Sequence, residues 1–150
     1  MNDTITEIRE IKYHSEEYFK EQELRDKVLR KPLGMSLYDE NMEAEQHDVH
    51  VGAFVDNDLI GVLILTKLNN NEIKMRQVAV DEIWRERHIG QKMVLFAEKY
   101  AREKGYNKML LNARETAVGF YEKLCYEKVG EIFLEINIPH LRMQKRIYIE

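Results

Sequence analysis

The chain is 150 residues long, 44% hydrophobic and 33% charged, which fits one compact domain with a single core and excludes a multidomain enzyme. Its 23 Lys and Arg against 27 Asp and Glu leave a formal net charge of -4, so there is no global pull toward nucleic acid or anionic lipid, and a neutral or cationic small partner fits better. The lone Cys125 cannot form an intramolecular disulfide, no signal-like apolar stretch follows Met1-Asn2-Asp3-Thr4, and no run approaches the roughly 20 apolar residues of a membrane span. The expectation is a soluble cytoplasmic protein with no membrane or nucleic-acid partner.

Only Pro32 and Pro139 interrupt the chain, and no repeat or Gly/Ser-rich linker divides it, so residues 1–150 read as a single domain. Ile5 to Tyr13 reads as a first strand. Ser15 then caps a helix whose first turn carries Glu16 and Glu17, with Tyr18, Leu24, Val28 and Leu29 at helical spacing until Pro32 and Gly34 close it. Met35 to Asp48 is acidic and without clear period, a loop or one short helix. Val49 to Val55 and Leu59 to Leu68 form a hairpin around Asp56-Asn57-Asp58, and Glu72 to Val80 adds a third antiparallel strand after Asn69-Asn70-Asn71.

Beyond Asp81 the period changes. Met93, Val94, Ala97 and Ala101 mark a helix from about Gly90 to Lys104, stopped by Gly105, and Lys108 to Ala113 reads as a short buried strand. Strand, helix, strand with this crossover implies a parallel pair. Glu115 to Leu124 is a further helix, and Lys128 to Ile136 and Leu141 to Ile149 are closing strands around a turn at Asn137-Ile138-Pro139. The fold class is α+β (mixed α/β): a mixed, mostly antiparallel sheet with helices on both faces.

The stretch from Gln77 through Val80 into Arg85-Glu86-Arg87-His88-Ile89-Gly90-Gln91-Lys92 joins a strand to a helix through a basic loop that ends in glycine. A helix start has unpaired N–H groups and a positive partial charge, a combination that binds phosphate. Neither a Walker A loop nor a G-x-G-x-x-G fingerprint occurs. Arg85, His88 and Gly90 fall where the GNAT superfamily of acyl-CoA-dependent N-acetyltransferases has [QR]-x-x-G-x-[GA] after a Val-Ala-Val strand, with His88 in place of the middle glycine. Ala117-Val118-Gly119-Phe120-Tyr121-Glu122-Lys123-Leu124-Cys125-Tyr126 similarly resembles the family's A-x-x-F-Y-x-x-x-G-F, with Cys125-Tyr126 in place of Gly-Phe. The ending from Glu131 to Met143 looks like the ElaA-like branch.

This resemblance implies a parallel pair splayed where acetyl-CoA binds, the pantetheine pairing with Gln77, Val78, Ala79 and Val80, and the pyrophosphate on Arg85, Glu86, Arg87, His88, Ile89, Gly90 and Gln91. Asn112, at the end of the second parallel strand, and Tyr121 complete the implied cofactor set. A backbone N–H near Val78 or Val80 would polarise the thioester carbonyl. A primary amine of pKa about 10.4 is only about one part in 2,500 neutral at pH 7, so a base or water relay is needed, with Glu43, Glu45, Asp48 and His50 as the candidates. The departing thiolate benefits from an acid, and Tyr121 stands at the family's tyrosine position.

The resemblance thus implies direct acetyl transfer from acetyl-CoA, with no metal, to a small-molecule amine, in a protein compatible with a homodimer. A non-catalytic acyl-CoA binding or sensing module is the alternative, motivated by His88 and Cys125 at glycine positions. His47-Asp48-x-His50 does not read as a metal site, because residues 47 and 50 of a strand point to opposite faces. The acidic stretch Asp39-Glu40, Glu43, Glu45 and Asp48 favours a cationic acceptor.

Overall fold

In a computed structural model, which describes residues 7–147, the strands are β1 (Glu7–Ile11), β2 (Val49–Val55), β3 (Asp58–Lys67), β4 (Glu72–Val80), β5 (Lys108–Arg114), β6 (Glu127–Glu135) and β7 (Ile138–Arg146). The α-helices are α1 (Glu16–Arg25), α2 (Ile89–Glu103) and α3 (Val118–Lys123). The strands form one sheet in the order β1-β2-β3-β4-β5-β7-β6. Its parallel pair is β4 with β5, registered from Glu72 opposite Lys108 to Met75 opposite Leu111, while β1–β2, β2–β3, β5–β7 and β6–β7 are antiparallel. The expected mixed sheet is therefore present. The expected strand start at Ile5 and strand end at Ile149 lie outside the described residues.

By packing, the chain forms two units. One holds the residues up to Thr66 with Gln77–Ala97, and the other holds Lys67–Arg76 with the residues from Glu98 on. In the first, Ser15 Oγ accepts the Tyr18 N–H at 3.2 Å and caps α1 as expected. The helix then presents Leu24, with Val28 and Leu29 beyond it, to Val62 and Ala79. Full burial of a leucine is worth about 1.5–3 kcal/mol, so this stripe holds the segment down. Next to Val62 in β3, Gly61 points the other way, and a Cβ there would meet Met93 of α2 at 3.0 Å. Alternation along β3 thus places helices on both faces of this part of the sheet.

The helix expected to reach Pro32 ends earlier. After Arg25 the chain takes a wider π-type turn over Asp26–Arg30 and a tight 3-10 turn over Lys31–Leu33 before Gly34, at φ 71°. Pro32 has no N–H and its ring crowds the carbonyl four residues back, so regular helix cannot run through it. The acidic segment holds two short 3-10 helices, Leu37–Asp39 and Met42–His47, each opened by a side-chain cap from Ser36 or Asn41.

In the second unit, Ile73, Met75, Met109, Leu111, Ala113 and Met143 are buried on one face of β4, β5 and β7. Glu98 is also buried there, because Tyr126 Oη and Lys145 Nζ both donate to it at 2.9 Å. Gly105 at φ 94° closes α2, with the Tyr106 N–H returning to Ala101 O at 3.0 Å. The final hairpin turns at Ile136-Asn137, φ 47° and 61°, rather than at Asn137-Ile138-Pro139, and Pro139 lies inside β7 opposite Leu134. Proline is tolerated there because β5 pairs with β7 only from His140 onward, so its missing donor is not needed by β5. No described helix is long and apolar enough to cross a membrane.

Candidate active site

Three left-handed residues, Gln77, Glu86 and His88, shape the end of β4 and the loop after it. Gln77 adopts φ 50° within β4, and the parallel register with β5 runs only to Met75. Its side-chain oxygen accepts from Arg25 Nη1 at 2.9 Å, which ties the irregular part of β4 to α1. Ala79 is buried, whereas Val78 and Val80 are half-buried. Asp81 donates its backbone N–H to Ile60 O of β3 at 2.8 Å and starts a 3-10 turn, Glu82–Trp84, by accepting the Ile83 N–H at Oδ1.

The loop then passes Arg85, Glu86, Arg87 and His88, all exposed, with Glu86 at φ 63° and His88 at φ 60°. His88 therefore supplies the left-handed backbone that a glycine would supply, at about 1–2 kcal/mol. Its carbonyl accepts the Lys92 N–H at 3.1 Å, so α2 begins directly afterward and the N–H groups of Ile89, Gly90 and Gln91 lie in the first turn, which has no intrahelical acceptor. The Arg85 N–H is already given to Glu82 O, and the Arg87 guanidinium lies 5.1 Å from the Trp84 ring centre. The anion-binding capacity of the segment thus resides mainly in the start of α2.

In the second unit, Tyr121 is 7% exposed, with its ring edge-on to Phe120 and Tyr126. Burial pushes its hydroxyl pKa well above the usual value, so the proton stays on at neutral pH. Tyr126 differs in being committed to Glu98. Cys125 ends α3 at φ 73° with its N–H on Glu122 O, again a non-glycine in a left-handed cap. The Asn112 side chain donates to Glu135 Oε1 at 3.1 Å.

The candidate bases fare differently. Glu45 is gripped by both Arg25 nitrogens, Nη1 to Oε2 at 2.7 Å and Nη2 to Oε1 at 2.9 Å, and accepts the Tyr18 hydroxyl at 2.9 Å. Burial pushes its carboxyl up, but Arg25 outweighs that and the net shift is downward, which makes it a weak base. His50 is 1% exposed, with Nδ1 2.5 Å from Glu21 Oε1 and Nε2 at the Glu45 carbonyl. Both are therefore internal structure rather than proton acceptors for a ligand. Glu43 and His47 are exposed, and Asp48 is half-buried.

Glu21, Glu45 and His50 do bring ligand-type atoms within 4.8 Å of one another. Arg25 already covers both Glu45 oxygens, so a metal ion there would face a guanidinium. This buried cluster of Tyr18, Glu21, Arg25, Glu45, His50 and Gln77 was not legible as a unit in the sequence. Its one local signal is the i,i+4 pair Glu21 and Arg25, 3.6 Å apart.

The chain thus combines a mixed sheet holding one parallel pair with a strand that leads through a left-handed loop into the start of α2. The family model for the acetyltransferase (GNAT) domain matches residues 12–147, and the chain belongs to that family. Among solved structures it is similar to Escherichia coli ElaA (TM-score 0.79, 16% identity, covering 94% of this chain and 99% of that one). It is also similar to an acyl-CoA N-acyltransferase from Pseudomonas aeruginosa (TM-score 0.79, 19% identity, 94% and 98%). A third is an aminoglycoside 6'-N-acetyltransferase complexed with coenzyme A (TM-score 0.77, 18% identity, 95% and 98%). At these identities the likeness is one of fold.

Proposed function

We propose that the chain transfers an acetyl group from acetyl-CoA to the amine of a small acceptor, directly within a ternary complex. The observation that carries the reading is the left-handed backbone at His88, which keeps the loop in the form a glycine would give immediately before the first turn of α2. Ile89, Gly90 and Gln91 would hold the pyrophosphate by backbone N–H groups, with Arg85, Arg87 and Lys92 adding charge from their exposed side chains. Gln77 to Val80 would pair with the pantetheine, and a Val78 or Val80 N–H would polarise the carbonyl. When bound, the donor supplies an activated thioester.

The roles of the side chains are narrower than their number suggests. Gln77 is a positioning residue, since its amide oxygen is held by Arg25. Tyr121 is the proposed proton donor to the departing thiolate, supported by its place in the Ala117 to Tyr126 match and by a hydroxyl that burial keeps protonated until the thiolate forms. Water rather than Glu45 or His50 would relay the proton from the amine. The alternative is a non-catalytic acyl-CoA module; positive φ at both non-glycine positions fits donor binding under either reading, and turnover with an amine separates them. If a homodimer forms, β6 offers Ile132 and Leu134, 55% and 69% exposed, as its apolar surface.

The test is acetyl transfer by Tyr121→Phe. Loss of the acid should lower kcat by about 100-fold, well beyond any change in acetyl-CoA affinity. Wild-type turnover in the variant would remove Tyr121 from the chemistry.

A further inference from the structure

The parallel pairing of β4 with β5 stops at Met75, and beyond it the end of β4 is held from the side of α1. Within the first unit, that helix and the turn after it reach residues 77, 79 and 81. Arg25 Nη1 donates to Gln77 Oε1 at 2.9 Å, Leu24 packs against Ala79, and Lys27 Nζ donates to Asp81 Oδ2 at 3.2 Å. Asp81 is fastened a second time, through its N–H, to Ile60 O of β3. Val78 and Val80 lie between these anchors and are half-buried.

The three anchors are unequal. The Lys27 side chain is 57% exposed, so its pair is weak in water. Apolar packing on Ala79 resists separation but has no direction. Arg25 combines burial with direction: it is fully buried, Glu45 takes both of its terminal nitrogens, and the Tyr18 hydroxyl donates to the same carboxylate. A bidentate grip fixes the plane of a guanidinium, so the remaining Nη1 hydrogen has one direction, toward Gln77. What it meets is a glutamine at φ 50°, a backbone that residues other than Gly, Asn and Asp seldom take. A return of Gln77 to extended backbone would turn the N–H groups that follow it. Glu45 belongs to the 3-10 helix Met42–His47, so the same arginine also ties the acidic segment to β4.

We propose that Arg25 is a positioning residue for acyl transfer: braced by Glu45, it holds Gln77 left-handed and so sets the direction of the Val78 or Val80 N–H that meets the donor carbonyl. The role in transfer rests on the acetyl-transfer reading, whereas the hold on β4 stands on the geometry of the first unit alone.

Two variants break the hold without leaving a buried charge alone. Gln77→Asn keeps a residue type that accepts left-handed backbone but is too short to reach Arg25, and Arg25→Met with Glu45→Met removes both charges together while Glu21 keeps His50. Should the double variant not fold, Gln77→Asn decides alone. In the first arm, backbone amide relaxation is measured on the ligand-free protein. Order parameters at residues 77–80 should be about 0.85 in the wild type and drop toward about 0.6 in the variants, with α2 unmoved. Unchanged values at residues 77–80 overturn the hold. In the second arm, acetyl-CoA isotope-labelled at its thioester carbonyl is bound to saturation. Its carbonyl resonance should move downfield in the wild type, because hydrogen bonding polarises the bond, and return at least halfway to its free position in the variants. The same carbonyl resonance in wild type and variants overturns the positioning role, since a merely structural Arg25 would leave it alone. Absent donor binding by the wild type sinks the acetyl-transfer reading, and the relaxation arm still decides the hold on β4. Donor binding with unmoved relaxation sinks this inference alone.

Discussion

His88 and Cys125 stand at the two positions where the family pattern has glycine, and both hold left-handed backbone, at φ 60° and 73°. An L side chain there costs about 1–2 kcal/mol, and part of that is offset because glycine loses more chain entropy on folding. Cys125→Gly should therefore stabilise the protein by about 0.5–1 kcal/mol, read as a higher denaturant midpoint with unchanged slope. A lower midpoint would mean that the exposed Cys125 side chain contributes packing that its surroundings do not suggest. At this scale the family resemblance marked Arg85, His88, Gly90 and Tyr121, and the structure adds the left-handed backbone at His88. The sequence was silent on orientation. That Asn112 would bond Glu135, and Gln77 would bond Arg25, depends on partners 23 and 52 residues away.

Among elements, the β2–β3 hairpin was legible because both strands are runs rich in β-forming apolar residues, buried along most of their length, and Asp56-Asn57, φ 50° and 70°, closes them in a two-residue turn suited to those residues. The end of α1 and the start of β7 were not, because each depends on how a proline meets its neighbours. What holds α1 against β2 also escaped the sequence. Burial pushes the Glu21 carboxyl up despite the pull of His50 and Arg25. Burial disfavours the His50 imidazolium, yet Glu21 and the Glu45 carbonyl outweigh it, and its pKa is raised above 6.5. The pair thus holds a proton more tightly folded than unfolded, with Arg25, Glu45 and Tyr18 packed around it.

The sign follows from linkage. A raised folded pKa gives stability that is fully present below the unfolded value and lost as pH rises through the folded one. Unfolding free energy should therefore fall as pH rises above 6.5, by up to about 1.4 kcal/mol per pH unit for one proton. Glu21→Gln combined with His50→Gln should flatten that limb in denaturant titrations from pH 6 to 9. An unchanged slope in the double variant would assign the effect to other groups.

For the molecule as a whole, a family match over residues 12–147 spans both packing units, and β4 runs from one into the other, with Glu72 to Arg76 in the second and Gln77 to Val80 in the first. A net charge of -4 conceals that Glu45 and Glu40 of the acidic segment are paired with Arg25 and Arg30, while Asp39 and Glu43 stay exposed.

The central claim is that the start of α2 binds the acyl donor. Thermal unfolding with and without acetyl-CoA tests it most directly, since a ligand at about 100 times its Kd adds roughly 2.7 kcal/mol. The account predicts a rise in Tm with acetyl-CoA that is reduced but not abolished in Arg85→Ala with Arg87→Ala, because the backbone N–H groups of Ile89, Gly90 and Gln91 remain. No rise at millimolar acetyl-CoA would contradict it, and the left-handed loop at His88 would then be a feature of the fold without a donor to hold.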